Sequence, residues 1–190
     1  MSLKKISRRS FIKQSTFVGA SVALLPSKMS AVKDSSLKLR LGVIGTGLRG
    51  QWMTHLCMLR GDVDIRAICD IDHEMINTTL NIIKKSGNKP PDIYKKNEHD
   101  FLNLVNRNDI DAVYIATPWE WHHPMAIAAM KEGIHVGTEV PAALTVNECW
   151  DLVNVSEKTG KFCMIMENVC YRRDVMAVLN MVRRNIFGEL

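Results

Sequence analysis

No internal repeat runs through this chain of 190 residues, and no low-complexity segment follows its first 40 positions, which argues against solenoid and propeller arrays. Paired cysteines are missing too. The five present (Cys57, Cys69, Cys149, Cys163 and Cys170) are odd in number, scattered and without a C-x-x-C spacing, so a disulfide framework or a metal site is poorly supported. Buried small hydrophobes are the better reading of these thiols. A basic patch is also lacking, despite a net charge of +5. Residues 1–40 hold nine Lys/Arg and one acid, which leaves 16 basic and 19 acidic residues over 41–190 and no footprint for nucleic acid there. The length suits one domain with a real core and is short for two.

The basic first part has its own reading. Ser7-Arg8-Arg9-Ser10-Phe11-Ile12-Lys13 looks like a twin-arginine export signal, followed by an apolar stretch from Thr16 to Leu25 that is too short to span a bilayer as a stable helix. A disordered basic tail is the plainer alternative. On the export reading, residues 1–35 form the signal and linker, membrane contact is transient, and the product is periplasmic or extracellular.

From Leu39 onward, strand-like and helix-like segments alternate, which predicts an α/β, Rossmann-type doubly wound parallel sheet over 36–170. Strands are expected at Leu39–Ile44, Val63–Cys69, Ile93-Tyr94, Ala112–Ala116, Ile134–Gly137 and Phe162–Met166. The helices expected between them cover about Arg49–Arg60, His73–Lys85, and Asp100–Asn106 with Phe101, Leu102 and Val105 on one face. A fourth is expected from Pro124, a residue suited to a first helical turn, to just before Gly133. Thr145-Val146-Asn147-Glu148 reads as a capping box that starts a helix at Val146. A last helix carries Val175, Val178, Leu179, Val182 and Ile186 at helical spacing, with Met176 and Met181 assigned to its packing.

The chemistry begins at Leu41-Gly42-Val43-Ile44-Gly45-Thr46-Gly47-Leu48-Arg49-Gly50. A glycine loop between a strand and a helix suits a dinucleotide: Gly45 for a tight turn, Gly47 for close approach of a pyrophosphate, Gly50 for close helix–sheet packing. The helix N-terminus then offers free N–H groups to the phosphates. Asp70, about 20 residues past the last glycine, is placed to accept hydrogen bonds from an adenosine ribose and to repel a 2′-phosphate, which favours NAD over NADP.

Ligands of open parallel sheets lie outside the carboxyl ends of the strands. The fourth strand ends in Thr117-Pro118-Trp119-Glu120-Trp121-His122-His123-Pro124, the fifth in Glu139-Val140-Pro141-Ala142-Ala143, the sixth in Glu167-Asn168. Ala116-Thr117-Pro118, a histidine before a helix, Gly133-Ile134-His135-Val136 and Glu139-x-Pro141 resemble the Gfo/Idh/MocA oxidoreductases. Most of that superfamily carries a catalytic lysine in the middle of Glu-x-Pro, where this chain has Val140. Trp119-Glu120-Trp121-His122, Glu139-Val140-Pro141-Ala142-Ala143 and Met166-Glu167-Asn168-Val169 together resemble glycoside hydrolase family 109, NAD-dependent α-N-acetylgalactosaminidases often exported by twin-arginine signals. By that resemblance, NAD contacts fall on Leu48, Arg49, Asp70, Trp119, Glu120, Trp121, His122, Glu139, Val140 and Asn168. Plainer readings stand beside these: packed loop aromatics at Trp119 and Trp121, a solvated strand-end acid at Glu139, a turn former at Asn168. His123 reads as a helix-start residue, and His55 and His73 as surface.

The resemblance implies a glycosidase that works without paired carboxylates. Bound NAD oxidises the sugar C3 hydroxyl, the acidified C2 proton is removed, the glycosidic oxygen leaves C1, water adds, and the hydride is returned. The family's substrate-binding and catalytic residues lie in a second domain past the end of this sequence, so no catalytic residue is assigned. On that reading 171–190 begins the connection to a substrate domain absent from this chain, the partner is a small-molecule glycoside for the full-length protein, and a homo-oligomer is left open. The competing expectations are a Gfo/Idh/MocA-type NAD-dependent sugar or polyol dehydrogenase, and an inactive dinucleotide-binding fragment.

Overall fold

A computed structural model describes residues 38–189. The expected export signal lies outside the described residues. Strands β1 (Leu39–Ile44), β2 (Val63–Cys69), β3 (Asp92–Tyr94), β4 (Ala112–Ile115), β5 (His135–Thr138) and β6 (Cys163–Ile165) form one sheet in the order β3-β2-β1-β4-β5-β6, and every pairing is parallel. The order reverses between β1 and β4, which opens a crevice at their carboxyl ends. The helices are α1 (Leu48–Arg60), α2 (His73–Lys85), α3 (Phe101–Val105), α4 (Trp119–Lys131), α5 (Val146–Thr159) and α6 (Arg173–Arg183), with a 3-10 turn at Asn168–Tyr171 before the last.

Strand alternation divides the apolar residues between two layers. Leu41, Val43, Ile65, Ile68 and Tyr114 meet α1 and α2 residues such as Cys57, Ile76 and Ile83. Ile44, Ala67, Val113, Ile115 and Val136 face the opposite side, against Leu104, Met125, Ala129, Met130 and Leu152 of α3, α4 and α5. Ile44, Ile68 and Ile115 are buried completely, each contributing about 1.5–3 kcal/mol by leaving water. The expected capping box forms at α5: the Thr145 side chain accepts from the Glu148 N–H, and Glu148 accepts from the Thr145 N–H at 3.0 Å.

Several expectations need correction. The fourth helix starts at Trp119, not Pro124, because Pro118 already ends the extended segment and serves as the N-cap. Pro124 sits inside the helix and removes one helical bond, the one the exposed Glu120 carbonyl would have accepted. In α3 the buried face is Phe101, Leu104 and Val105, and Leu102 is exposed. Cys57 and Cys69 are buried as expected, whereas Cys149 and Cys170 lie exposed on α5 and the 3-10 turn. The α6 stripe of Val175, Val178, Leu179 and Val182 forms at helical spacing but stays exposed, and Met176 and Met181 with it.

Candidate functional site at the carboxyl rim of the sheet

The glycine loop joins β1 to α1. Gly45 has φ of +90°, and a Cβ there would lie 2.5 Å from the Ala116 carbonyl oxygen. A Cβ at Gly50 would collide with the Gly45 carbonyl. These two glycines are needed by the fold itself. Gly47 differs: its φ of −64° suits any residue and nothing lies within 4 Å of a Cβ built on it. The space a side chain would fill there is open, as the close approach of a ligand to the backbone needs. Gly47 also precedes α1 without a side-chain cap, leaving that helix end to a ligand or water.

Asp70 closes β2 on the same rim. Its Oδ2 accepts from the Thr46 backbone N–H and from Thr46 Oγ1 at 2.9 Å, and its Oδ1 accepts from the Asp72 N–H at 2.9 Å. A carboxylate has about four acceptor positions, so one remains on Oδ1. The carboxylate is thus held against the glycine loop while one lone pair is left for a hydroxyl donor. Beside it opens a cleft of about 260 Å³, walled by Gly45, Gly47, Asp70, Met75, Thr117, Pro118, Trp121 and Met125. Cys69 also lines it; burial pushes that thiol up to about 12, so it is a neutral wall rather than a nucleophile.

Trp121 and Trp119 part company because residues two apart in a helical turn lie about 200° apart around its axis. Trp121 is half-buried on the cleft wall, edge-on to His99 at 5.5 Å and Phe101 at 6.1 Å between centroids. Trp119 is 62% exposed, and Glu120 beside it is exposed as well. His122 is 1% exposed, with Nδ1 2.7 Å from the Pro141 carbonyl and Nε2 2.8 Å from the Thr117 carbonyl. Its ring braces the end of β4 against the turn after β5, and it is not among the side chains that line the cleft. His123 joins α4 to α5 through Asp151, 2.9 Å from its Nε2.

Across the switch point, Glu139 follows β5 and turns to the α1 face. Its Oε1 accepts from Arg49 Nε at 2.8 Å and from the Tyr114 hydroxyl at 2.6 Å. Arg49 in turn lies over the Trp52 ring, 4.9 Å from its centroid. The hydrogen bond to Glu139 raises the Arg49 pKa, and burial, reinforced by Glu139, holds the Tyr114 hydroxyl protonated well above the ordinary tyrosine range. Leu48, Val140 and Asn168 are exposed along the rim. Asn168 opens the 3-10 turn, whose start is capped by Glu167 through the Val169 N–H at 2.8 Å.

Sequence reasoning missed Tyr114, Thr46 and Trp52. Thr46 could have been suspected, since a hydroxyl between the two glycines sits beside any acid ending the next strand. Tyr114 gave no signal inside Ala-Val-Tyr-Ile-Ala, which reads as core. Among the described residues, no group of three or more His, Cys, Asp or Glu gathers as a metal site.

Residues 39–167 match the family described as Gfo/Idh/MocA, an oxidoreductase family with an NAD-binding Rossmann fold. The chain belongs to that family. Within it, the chain is 46% identical over 200 residues to a glycosyl hydrolase family 109 protein of Parabacteroides distasonis, covering 97% of this chain and 43% of the relative. It is 46% identical over 203 residues to an alpha-N-acetylgalactosaminidase of Tannerella forsythia, with the same two coverages, 97% and 43%. The chain therefore spans less than half the length of these curated relatives. Among solved structures, the fold is similar to the WlbA dehydrogenase of Chromobacterium violaceum in complex with NADH and UDP-GlcNAcA, at TM-score 0.68, 19% identity and coverage of 80% and 41%. A scyllo-inositol dehydrogenase of Lactobacillus casei with bound NAD(H) matches at TM-score 0.67, 17% identity and coverage of 80% and 43%. At these identities the likeness is one of fold. The Gfo/Idh/MocA domain thus has its glycine loop and its strand-end acid on one rim, with a cleft between them.

Proposed function

We propose that this Gfo/Idh/MocA domain holds NAD for an exported glycosidase of the family 109 type. Such an enzyme cleaves an α-N-acetylgalactosaminide by transient hydride transfer at sugar C3, elimination and water addition. The observation that carries the reading is Gly47, a glycine that neither backbone conformation nor packing requires, facing the cleft beside Asp70. Support for the glycosidase rather than a sugar dehydrogenase comes from the names of relatives 46% identical and from Val140 in place of the superfamily lysine. Arg8-Arg9 supports export.

The residues present fit the cofactor. A nicotinamide dinucleotide, when bound, supplies a reversible hydride acceptor. The chain's part is to bind and orient it. The N–H groups of the first α1 turn face the phosphate charge, and the helix dipole favours that charge. Asp70, with one free acceptor position, takes a ribose hydroxyl and excludes a 2′-phosphate by like-charge repulsion. Glu139, on the far side of the switch point, keeps Oε2 for the second ribose or the carboxamide. Val140 has no side-chain group that can accept a proton, so the base acting at sugar C2 would be a residue other than the one at this position.

Equilibrium dialysis of the 190-residue chain tests the reading: retention of NAD over NADP is expected, and equal retention or none contradicts it. Release of p-nitrophenol from the aryl α-N-acetylgalactosaminide by this chain alone is expected to be absent. Release would place the acting groups inside these 190 residues. Net accumulation of NADH with a free sugar would point to a dehydrogenase.

A further inference from the structure

We infer that Tyr114 is a positioning residue for the nicotinamide half of the dinucleotide site, acting through Glu139. The inference rests on the dinucleotide reading above. The parallel register places Tyr114 beside Gly137, and Glu139, two residues on, returns to the same face of the sheet. Glu139 is anchored there by its backbone N–H, which donates to the Ile115 carbonyl at 3.0 Å. On that face Arg49 arrives from the first turn of α1. One oxygen of Glu139 is thus shared by two donors from different elements, the phenol at 2.6 Å and the guanidinium at 2.8 Å. Two donors on Oε1 fix the rotation of the carboxylate and leave Oε2 aimed elsewhere, available to a ligand.

The phenol belongs to the core, not to the rim. Tyr114 is 3% exposed and packs in the layer with Val43, Ile68 and Ile76. A buried hydroxyl needs a partner, and here the partner is a carboxylate at the edge of the crevice. Burial and the neighbouring carboxylate both favour the protonated phenol, which is the donor in this pair. Tyr114 therefore ties the orientation of a rim acid to the rigid centre of the sheet. Arg49, side chain one-third exposed, is the softer of the two ties.

The test uses Tyr114→Phe, which keeps the ring and removes only the hydroxyl. Calorimetric titration compares NAD with ADP, which lacks the nicotinamide ribose. We expect the affinity for NAD to fall about tenfold, the scale of one lost hydrogen bond to a charged group, with ADP affinity held within about twofold. Glu139→Gln provides the second arm: with the carboxylate gone, adding Tyr114→Phe should cost far less than it does alone. Equal losses for NAD and ADP, no loss for either, or full additivity of the two substitutions would each overturn the positioning role. Failure of the unsubstituted chain to bind either nucleotide would instead bring down the dinucleotide reading, and this inference with it.

Discussion

Over β1 and β2 the rim is walled, with Gly45, Asp70, Trp121 and Met125 enclosing about 260 Å³. Beyond the end of β4, toward β5 and β6, it is open, and Trp119, Val140 and Ile165 stand 62%, 40% and 52% exposed. The two stretches share one sheet and one strand direction, so the contrast is not one of architecture. It lies in what stands opposite. On the walled side α2 and the segment after β3 bring Met75, Asn97 and Glu98 to the cleft, whereas the open side ends in the α6 stripe, exposed along its length. On the proposed reading the walled stretch holds the adenosine and the open stretch presents the nicotinamide to a sugar. The first task needs only this domain's own residues. The second needs a surface that covers apolar groups now facing water.

Substitutions at the glycine loop should break the comparison most strongly. Gly50→Ala drives a methyl group into the Gly45 carbonyl. We expect it to cost about 3 kcal/mol of stability, read as a lowered denaturation midpoint. Gly47→Val is the counterpart: it should cost only about 1 kcal/mol of stability, the scale of a poorer N-cap, while abolishing NAD retention in dialysis, because its side chain fills the open space a ligand would enter. Retention of NAD by Gly47→Val would place the pyrophosphate elsewhere.

Asp70→Asn is expected to have an intermediate effect. It removes the charge that opposes a 2′-phosphate and weakens the acceptor of the Thr46 N–H. The preference for NAD over NADP should shrink about tenfold, measured as a ratio of dissociation constants. On the open side, Trp119→Ala should change stability by less than about 0.5 kcal/mol, since the ring has little to lose, and a midpoint shift well beyond that would show a packed role.

The walled stretch was the more legible one. Apolar runs ending in glycines or an acid gave β1, β2 and the loop to within a residue, because strand period and turn chemistry are local properties. The α4 boundary was not legible: Pro124 obeys a first-turn preference, yet Pro118 can end the extended segment as an N-cap, and it is Pro118 that starts the helix. That choice moved Trp121 onto the cleft and Trp119 away from it. The Tyr114–Glu139–Arg49 contact depends on the β4–β5 register and on where α1 lands. Neither is written in any one segment. The exposure of Cys149 and Cys170 follows from which helical faces found a partner, which composition does not encode.

The central claim is that one dinucleotide spans both stretches, adenosine over β1–β2 and nicotinamide over β4–β5. Backbone amide shifts recorded while ADP and then NAD are titrated into the isotopically labelled chain test it most directly. We expect ADP to move Gly47, Leu48 and Asp70 alone, and NAD to move these and Glu139, Val140 and Asn168 as well. Identical footprints for the two nucleotides, or a footprint that spares Gly47, would contradict it.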